Sequence, residues 1–163
     1  MTLNIRGELI DLSTQKVMGI LNVTPDSFYD GGYYNSNAKI LKQVEKMIKD
    51  GATIIDIGGY SSRPGADNIA EKIELDRVIP TLKDCKKYFP ETLFSIDTFR
   101  SKVAEECIYN GADIINDISG GNLDINMMKV VGKHQIPYVI MHMKGNPSNM
   151  VKKAKYDEII GEL

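Results

Sequence analysis

Hydrophobic and polar positions follow two alternating periods along this chain. Short apolar runs recur at Val17-Met18-Gly19-Ile20-Leu21, Thr53-Ile54-Ile55-Asp56-Ile57, Leu93-Phe94-Ser95-Ile96, Ile114-Ile115 and Tyr138-Val139-Ile140-Met141. Continuous runs of this kind suit strands buried on both faces of a parallel sheet. Amphipathic stretches lie between them. From Ala38 to Lys49, residues Ile40, Leu41, Val44, Met47 and Ile48 recur at helical spacing, and Gly51 supplies a stop. Ser101 to Asn110, ended by Gly111, and Asn126 to Lys133, followed by Pro137, read the same way. Ile69 to Tyr88 is helical in pattern, with Pro80 predicting a break or kink near Ile79. A further helical pattern begins near Tyr156. Residues 3–12 alternate around Gly7 and predict a small antiparallel hairpin. The order is therefore a hairpin followed by βαβαβαβαβ, which is an α/β protein with a parallel sheet.

Composition narrows the class. At 42% hydrophobic and 26% charged residues the chain is an ordinary globular one, not a disordered or fibrous one. Its 20 Lys+Arg against 22 Asp+Glu give a net charge of −2, which offers no electrostatic footprint for nucleic acid. No apolar run approaches the ~20 residues that span a bilayer. The first fifteen residues carry Arg6, Glu8 and Asp11 and do not read as a signal peptide. Two cysteines, Cys85 and Cys107, outside any CxxC pattern, read as reduced thiols on helices in a cytoplasmic protein.

Each predicted strand ends in a polar group: Asn22; Asp56 followed by Gly58-Gly59; Asp97; Asn116 with Asp117; and His142. In a parallel βα array these ends share one edge, the ligand-binding edge of a barrel or an open sheet. Asp97 has a second reading as a cap for the next helix, and His142 as a buried hydrogen-bonded histidine. Two connections on this edge are rich in chemistry. Asn22 to Gly32 is longer than the ~2–6 residues usual for a βα loop and carries Asp26 and Asp30. Gly58 to Ala66 combines adjacent glycines, Ser61, Ser62 and Arg63, a set suited to an anion. No Walker motif, GxGxxG, zinc spacing or serine-hydrolase elbow occurs. Asp97 and Asn116 suit a planar heterocycle with amide-like edges. Asn22 with Asp26 or Asp30 suits a hard cation held through oxygens.

These loops resemble the dihydropteroate synthase family. Met18 to Phe28 followed by Asp30-Gly31-Gly32 is similar to its first signature, and Gly51 to Ala66 to its second. Ser95-Ile96-Asp97-Thr98, Ile115-Asn116-Asp117-Ile118 and Met141 to Pro147 follow in the family's order. The resemblance implies a (β/α)8 TIM barrel of the pterin-binding type, here about the first five βα units after a short β-hairpin. It implies one pterin-binding domain over 1–163, incomplete at its C-terminal side, since a whole barrel needs ~250 residues. It implies condensation of 6-hydroxymethyl-7,8-dihydropterin diphosphate with p-aminobenzoate to 7,8-dihydropteroate and pyrophosphate, in folate biosynthesis. Mg2+, a homodimer and sulfonamide sensitivity come with it.

Carried over by position, Asn22 would touch the metal or the diphosphate. Ser62, Arg63, Asp97, Asn116, Ile118 and Met141 would bind the pterin diphosphate. Phe28 and Pro64 would border the p-aminobenzoate site, and Asp30 and Arg63 would serve catalysis. Ser62 stands where the family usually has Thr. The family's later Asp, Lys, Arg and His contacts have no counterpart here, so little turnover is expected of this stretch by itself. Two other expectations stand beside this one: a pterin-binding methyltransferase relative, against which the two loop signatures argue, and a non-catalytic piece that self-associates through exposed sheet edges.

Overall fold

A computed structural model describes residues 2–24, 33–60, 69–147 and 149–162. The sequence pattern becomes two sheets. Strands β1 (Thr2–Ile5) and β2 (Glu8–Asp11) form the antiparallel hairpin. Strands β3 (Val17–Asn22), β4 (Ala52–Gly58), β5 (Leu93–Asp97), β6 (Ile114–Asp117) and β7 (Tyr138–Ile140) pair in sequence order, all parallel. The connecting helices are α1 (Tyr33–Lys49), α2 (Glu71–Tyr88), α3 (Ser101–Tyr109) and α4 (Met127–His134), followed by the short α5 (Met150–Lys153) and α6 (Ile159–Glu162).

Parallel register fixes which side chains share a face, because directly paired residues project the same way. Ile55, Ile57, Phe94, Ile96 and Ile115 line one face, each 0% exposed. The helices lie against that face through Val44, Val78, Leu82, Val103, Cys107 and Met127, all buried. Burying each such side chain contributes about 1.5–3 kcal/mol, so this layer supplies most of the stabilisation. The opposite face carries Ile20, Asn22, Asp56, Gly58, Ser95, Asp97, Ile114, Asn116 and Val139. It is the polar face, and among the described residues Ile20 is 66% and Val139 42% exposed on it.

Two local expectations are corrected. Pro80 lies inside an unbroken α2 rather than ending it. Both Pro80 and Asp76, whose carbonyl loses its i+4 donor there, are exposed residues, so the missing hydrogen bond falls on the solvent side of α2 and not in the core. The helical pattern near Tyr156 resolves into two single turns, with Tyr156 between them.

The hairpin is tied to the base of the sheet, away from the strand C-termini. Asp113, immediately before β6, accepts Arg6 Nε at 2.5 Å, Arg6 Nη2 at 2.8 Å, Lys86 Nζ at 3.1 Å and the Phe94 amide at 2.8 Å. Arg6 reaches it from a tight turn in which Arg6 and Gly7 both have positive φ, 55° and 82°. Arg6 Nη1 also donates to the Pro90 carbonyl at 3.0 Å. Among the described residues no helix is long and apolar enough to cross a membrane.

Candidate functional site

The C-terminal strand ends converge as the sequence predicted, in two polar rows on the open face. The upper row runs Asn22, Gly58, Asp97, Asn116, Val139 across five adjacent strands. The lower row runs Ile20, Asp56, Ser95, Ile114. Gly58 separates the polar groups of its neighbours. A Cβ placed there would sit 3.4 Å from Asn22 Oδ1 and 3.5 Å from Asp97 Oδ2. The missing side chain thus leaves a gap flanked by a neutral oxygen and a carboxylate oxygen.

Asp97 is not a helix cap. The first amide of α3, Ser101 N–H, donates instead to Asp124 Oδ2 at 2.8 Å, which leaves Asp97 facing the open side of the sheet. Burial pushes its carboxyl up to about 7, and the charges of Asp56, Glu74 and Asp117 push in the same direction. Asn116, paired with Asp97 in register, donates Nδ2 to Asp56 Oδ2 at 3.0 Å. Asp56 is 4% exposed, and burial raises its carboxyl while Ser95 and Asn116 draw it partly back. Asp56 stands among the polar strand ends of the sequence, but the resemblance assigns it no role in the site. Its signal was a carboxylate inside an otherwise apolar buried run.

Asp117, next to Asn116, points to the helix side and has a different task. Its Oδ1 accepts Ser119 N–H and Oγ–H at 2.7 and 2.8 Å, and its Oδ2 accepts Gly121 N–H at 2.9 Å and Tyr138 O–H at 2.6 Å. This saturated carboxylate shapes the turn that carries Ile118. The Met141 N–H donates to the Asp117 carbonyl at 3.2 Å, so Ile118 and Met141 leave adjacent strands side by side at the same edge. Met141 is 40% exposed. His142 is exposed, with its ring 5.6 Å from Tyr156, and is not a buried hydrogen-bonded histidine.

Around Gly59, Tyr60 and Ile69 lies a group of contacts the sequence did not reveal. Arg100 Nη1 donates to buried Glu74 Oε2 at 2.5 Å, and Arg100 Nη2 to the Ile69 carbonyl at 2.7 Å. Its guanidinium stands 5.2 Å from the Tyr60 ring and 5.1 Å from the Phe99 ring. Arg77 donates to the Gly59 carbonyl at 2.9 Å. Gly59, Tyr60 and Ile69 are therefore each held by an arginine.

Phe28, Asp30, Ser62, Arg63 and Pro64, and Asp26 with them, lie outside the described residues. No group of three or more His, Cys, Asp or Glu able to hold a metal occurs among the described residues. Asn22 Oδ1 offers one hard oxygen at the edge of the gap. That donor suits Mg2+ where phosphate oxygens and water complete the shell, and does not suit a cation caged wholly by protein.

A five-stranded parallel sheet with helices on one face and polar strand ends on the other is the arrangement of part of an α/β barrel, the fold whose small-molecule sites form at the C-terminal edge of the strands. A family model described as pterin binding enzyme matches residues 18–163, and the chain belongs to that family. It is 44% identical over 163 residues to the dihydropteroate synthase of Escherichia coli strain K12, covering 100% of this chain and 57% of that protein. It is 49% identical over 166 residues to the mitochondrial folate synthesis bifunctional protein of Arabidopsis thaliana, covering 99% of this chain and 30% of that one. Among solved structures, Yersinia pestis dihydropteroate synthase with a sulfonamide drug complex superposes with a TM-score of 0.87 at 42% identity, over 99% of this chain and 58% of that one. The Xanthomonas albilineans enzyme with 4-aminobenzoic acid gives 0.84 at 33% identity, over 99% of this chain and 56% of that one. The chain thus spans between 30% and 57% of these two curated relatives.

Proposed function

We propose that this chain supplies the pterin-holding part of a dihydropteroate synthase, which joins 6-hydroxymethyl-7,8-dihydropterin diphosphate to p-aminobenzoate and releases pyrophosphate. The observation that carries the reading is the upper polar row. Asp97 and Asn116 stand side by side in register, with Gly58 leaving space between Asp97 and Asn22. A flat heterocycle rich in N–H donors fits a carboxylate beside a carboxamide. Ile118 and Met141 would border its faces, and Ser62 and Arg63 would take the diphosphate.

Asn22 would help to hold Mg2+, which would supply charge neutralisation for the pyrophosphate leaving group. The chain's own residues do the rest. Asp97 and Asn116 fix the ring, Arg63 orients the leaving group, and Phe28 and Pro64 border the aminobenzoate so that its neutral amine meets the activated methylene. Asp30 would organise the reacting state from the first loop, and exclusion of water would spare the methylene from hydrolysis. A cytoplasmic, homodimeric enzyme without nucleic-acid or membrane partners is part of the same reading. Buried, unpaired Cys85 and Cys107 support a reducing compartment.

The chain has no Trp, so pterin emission can be followed without tryptophan interference. Fluorescence anisotropy of 6-hydroxymethylpterin should report saturable binding that Asp97→Ala abolishes, because unpaired ring donors cost about 1–3 kcal/mol each. Equal binding by wild type and Asp97→Ala would overturn the reading.

The exposed Ile20, Val139, Ile140 and Met141 favour a second property, self-association through the open face and the β3 and β7 edges. Sedimentation velocity over a hundredfold concentration range tests it, and a monomer throughout would sink it.

A further inference from the structure

Asn116 is ambiguous by chemistry. Its carboxamide has an accepting oxygen and a donating nitrogen of nearly equal size, and rotation by 180° exchanges them. A ligand lying on the upper row meets a different pattern in each orientation. Something beneath must choose between them.

We infer that Asp56 is a positioning residue that fixes the Asn116 carboxamide with Nδ2 directed to the lower row and Oδ1 presented to the ligand. While Asp56 is ionised, the 3.0 Å contact between its Oδ2 and Asn116 is a hydrogen bond in only one amide orientation, since a carboxylate has no proton to donate to Oδ1. Asp56 is itself held by burial at 4% exposure, one row below Asp97 and Asn116 and beside Ser95, which is 0% exposed. A charge-assisted bond at such a site is worth more than its exposed counterpart, so the flipped amide is strongly disfavoured. The site then shows a ligand two neighbouring acceptors, the Asp97 carboxylate and Asn116 Oδ1, with one remaining Nδ2 hydrogen. That pattern selects ring edges with adjacent N–H donors over edges with adjacent carbonyls. Asp56 also faces Asp97, whose other charged neighbours are Glu74, bonded to Arg100, and Asp117.

The inference rests on the pterin-site reading for its ligand, but not for its geometry, and the test separates the two. The probe is 6-hydroxymethylpterin, bound to the full chain. In Asp56→Asn the new amide can offer Asn116 either an acceptor or a donor, so the orientation of Asn116 is no longer forced, and affinity should fall at least twofold with the fold intact by circular dichroism. The exchanged pair Asp56→Asn with Asn116→Asp restores the bond with donor and acceptor reversed and again presents oxygen to the ligand. It should recover most of that loss. Wild-type affinity in Asp56→Asn, or no recovery in the exchanged pair, would overturn the inference.

The second measurement needs neither ligand nor variant. In the wild-type chain one Asn116 Nδ2 proton should exchange slowly with solvent and the other fast, by nuclear magnetic resonance. Equal exchange of both would also overturn the inference. Unequal exchange in a chain that binds no pterin would support Asp56 as the positioning residue and reject the pterin reading.

Discussion

Glu74 and Arg100 form a buried ion pair, Nη1 to Oε2 at 2.5 Å, under the C-terminal edge of the sheet. Glu74 comes from α2 and is 1% exposed at its side chain, and Arg100 precedes α3 and is 15% exposed. The pair joins two helices that are consecutive around the sheet. Through Arg100 it also holds the Ile69 carbonyl and the Tyr60 ring.

Removing one member of such a pair strands the other. Arg100→Met should destabilise the chain by about 3–5 kcal/mol, because an uncompensated buried carboxylate remains. Urea unfolding monitored by circular dichroism measures it. A loss under about 1 kcal/mol would show that Glu74 finds other partners.

The Asp97 carboxyl gives the fold a pH dependence. Its folded value is raised from 3.8 to about 7, so the folded chain keeps a proton that the unfolded chain releases. Stability contributed by this group is therefore full at low pH and declines as pH rises through that window. Asp97→Asn removes the penalty. Its melting temperature should exceed that of wild type by more at pH 8 than at pH 5, with about 2–4 °C for each kcal/mol in a domain of this size. Pterin binding should be lost at both pH values.

Gly58 and Gly59 are adjacent but should respond differently to alanine. At Gly59 a Cβ would lie 2.5 Å from Val78 Cγ2 and 3.2 Å from the Glu74 carbonyl oxygen, so Gly59→Ala forces α2 away and should cost about 1–3 kcal/mol. At Gly58 the nearest atoms stand at 3.4 Å or more, so Gly58→Ala should fold normally. It should weaken pterin binding by filling the gap between Asn22 and Asp97. Thermal melts and fluorescence titration of the two variants compare stability with binding.

Arg6→Ala is the converse case. It removes two hydrogen bonds to Asp113, which retains Lys86 and the Phe94 amide, so about 1–2 kcal/mol of stability should be lost. The site stands at the opposite end of the strands, and pterin affinity should not change. A parallel loss of affinity would mean that the base of the sheet and its mouth are coupled.

The two thiols should be inert in the native chain. Burial pushes Cys85 and Cys107 up to about 12, leaving almost no thiolate at neutral pH. A chromogenic disulfide reagent should label neither in buffer and both in urea.

Elements whose signals are local were legible in the sequence. The apolar runs at Ile54–Ile57 and Leu93–Ile96 could bury both faces only as inner strands of a parallel sheet. Gly51 and Gly111 ended their helices, and the strand-end residues Asn22, Asp97 and Asn116 marked the chemical edge. Loop signatures of unusual length carried the family. Tertiary structure alone decided which polar residues work together, because that depends on register and on which face each strand turns toward the helices. It placed Asp56 under Asn116, turned neighbouring Asp117 into a turn-shaping anchor, and joined Arg6 to Asp113 across 107 positions. It also let Pro80 stay helical, on the exposed side of α2. Periodicity encodes a residue's burial one element at a time, whereas partners are set by the packing of elements far apart in the chain.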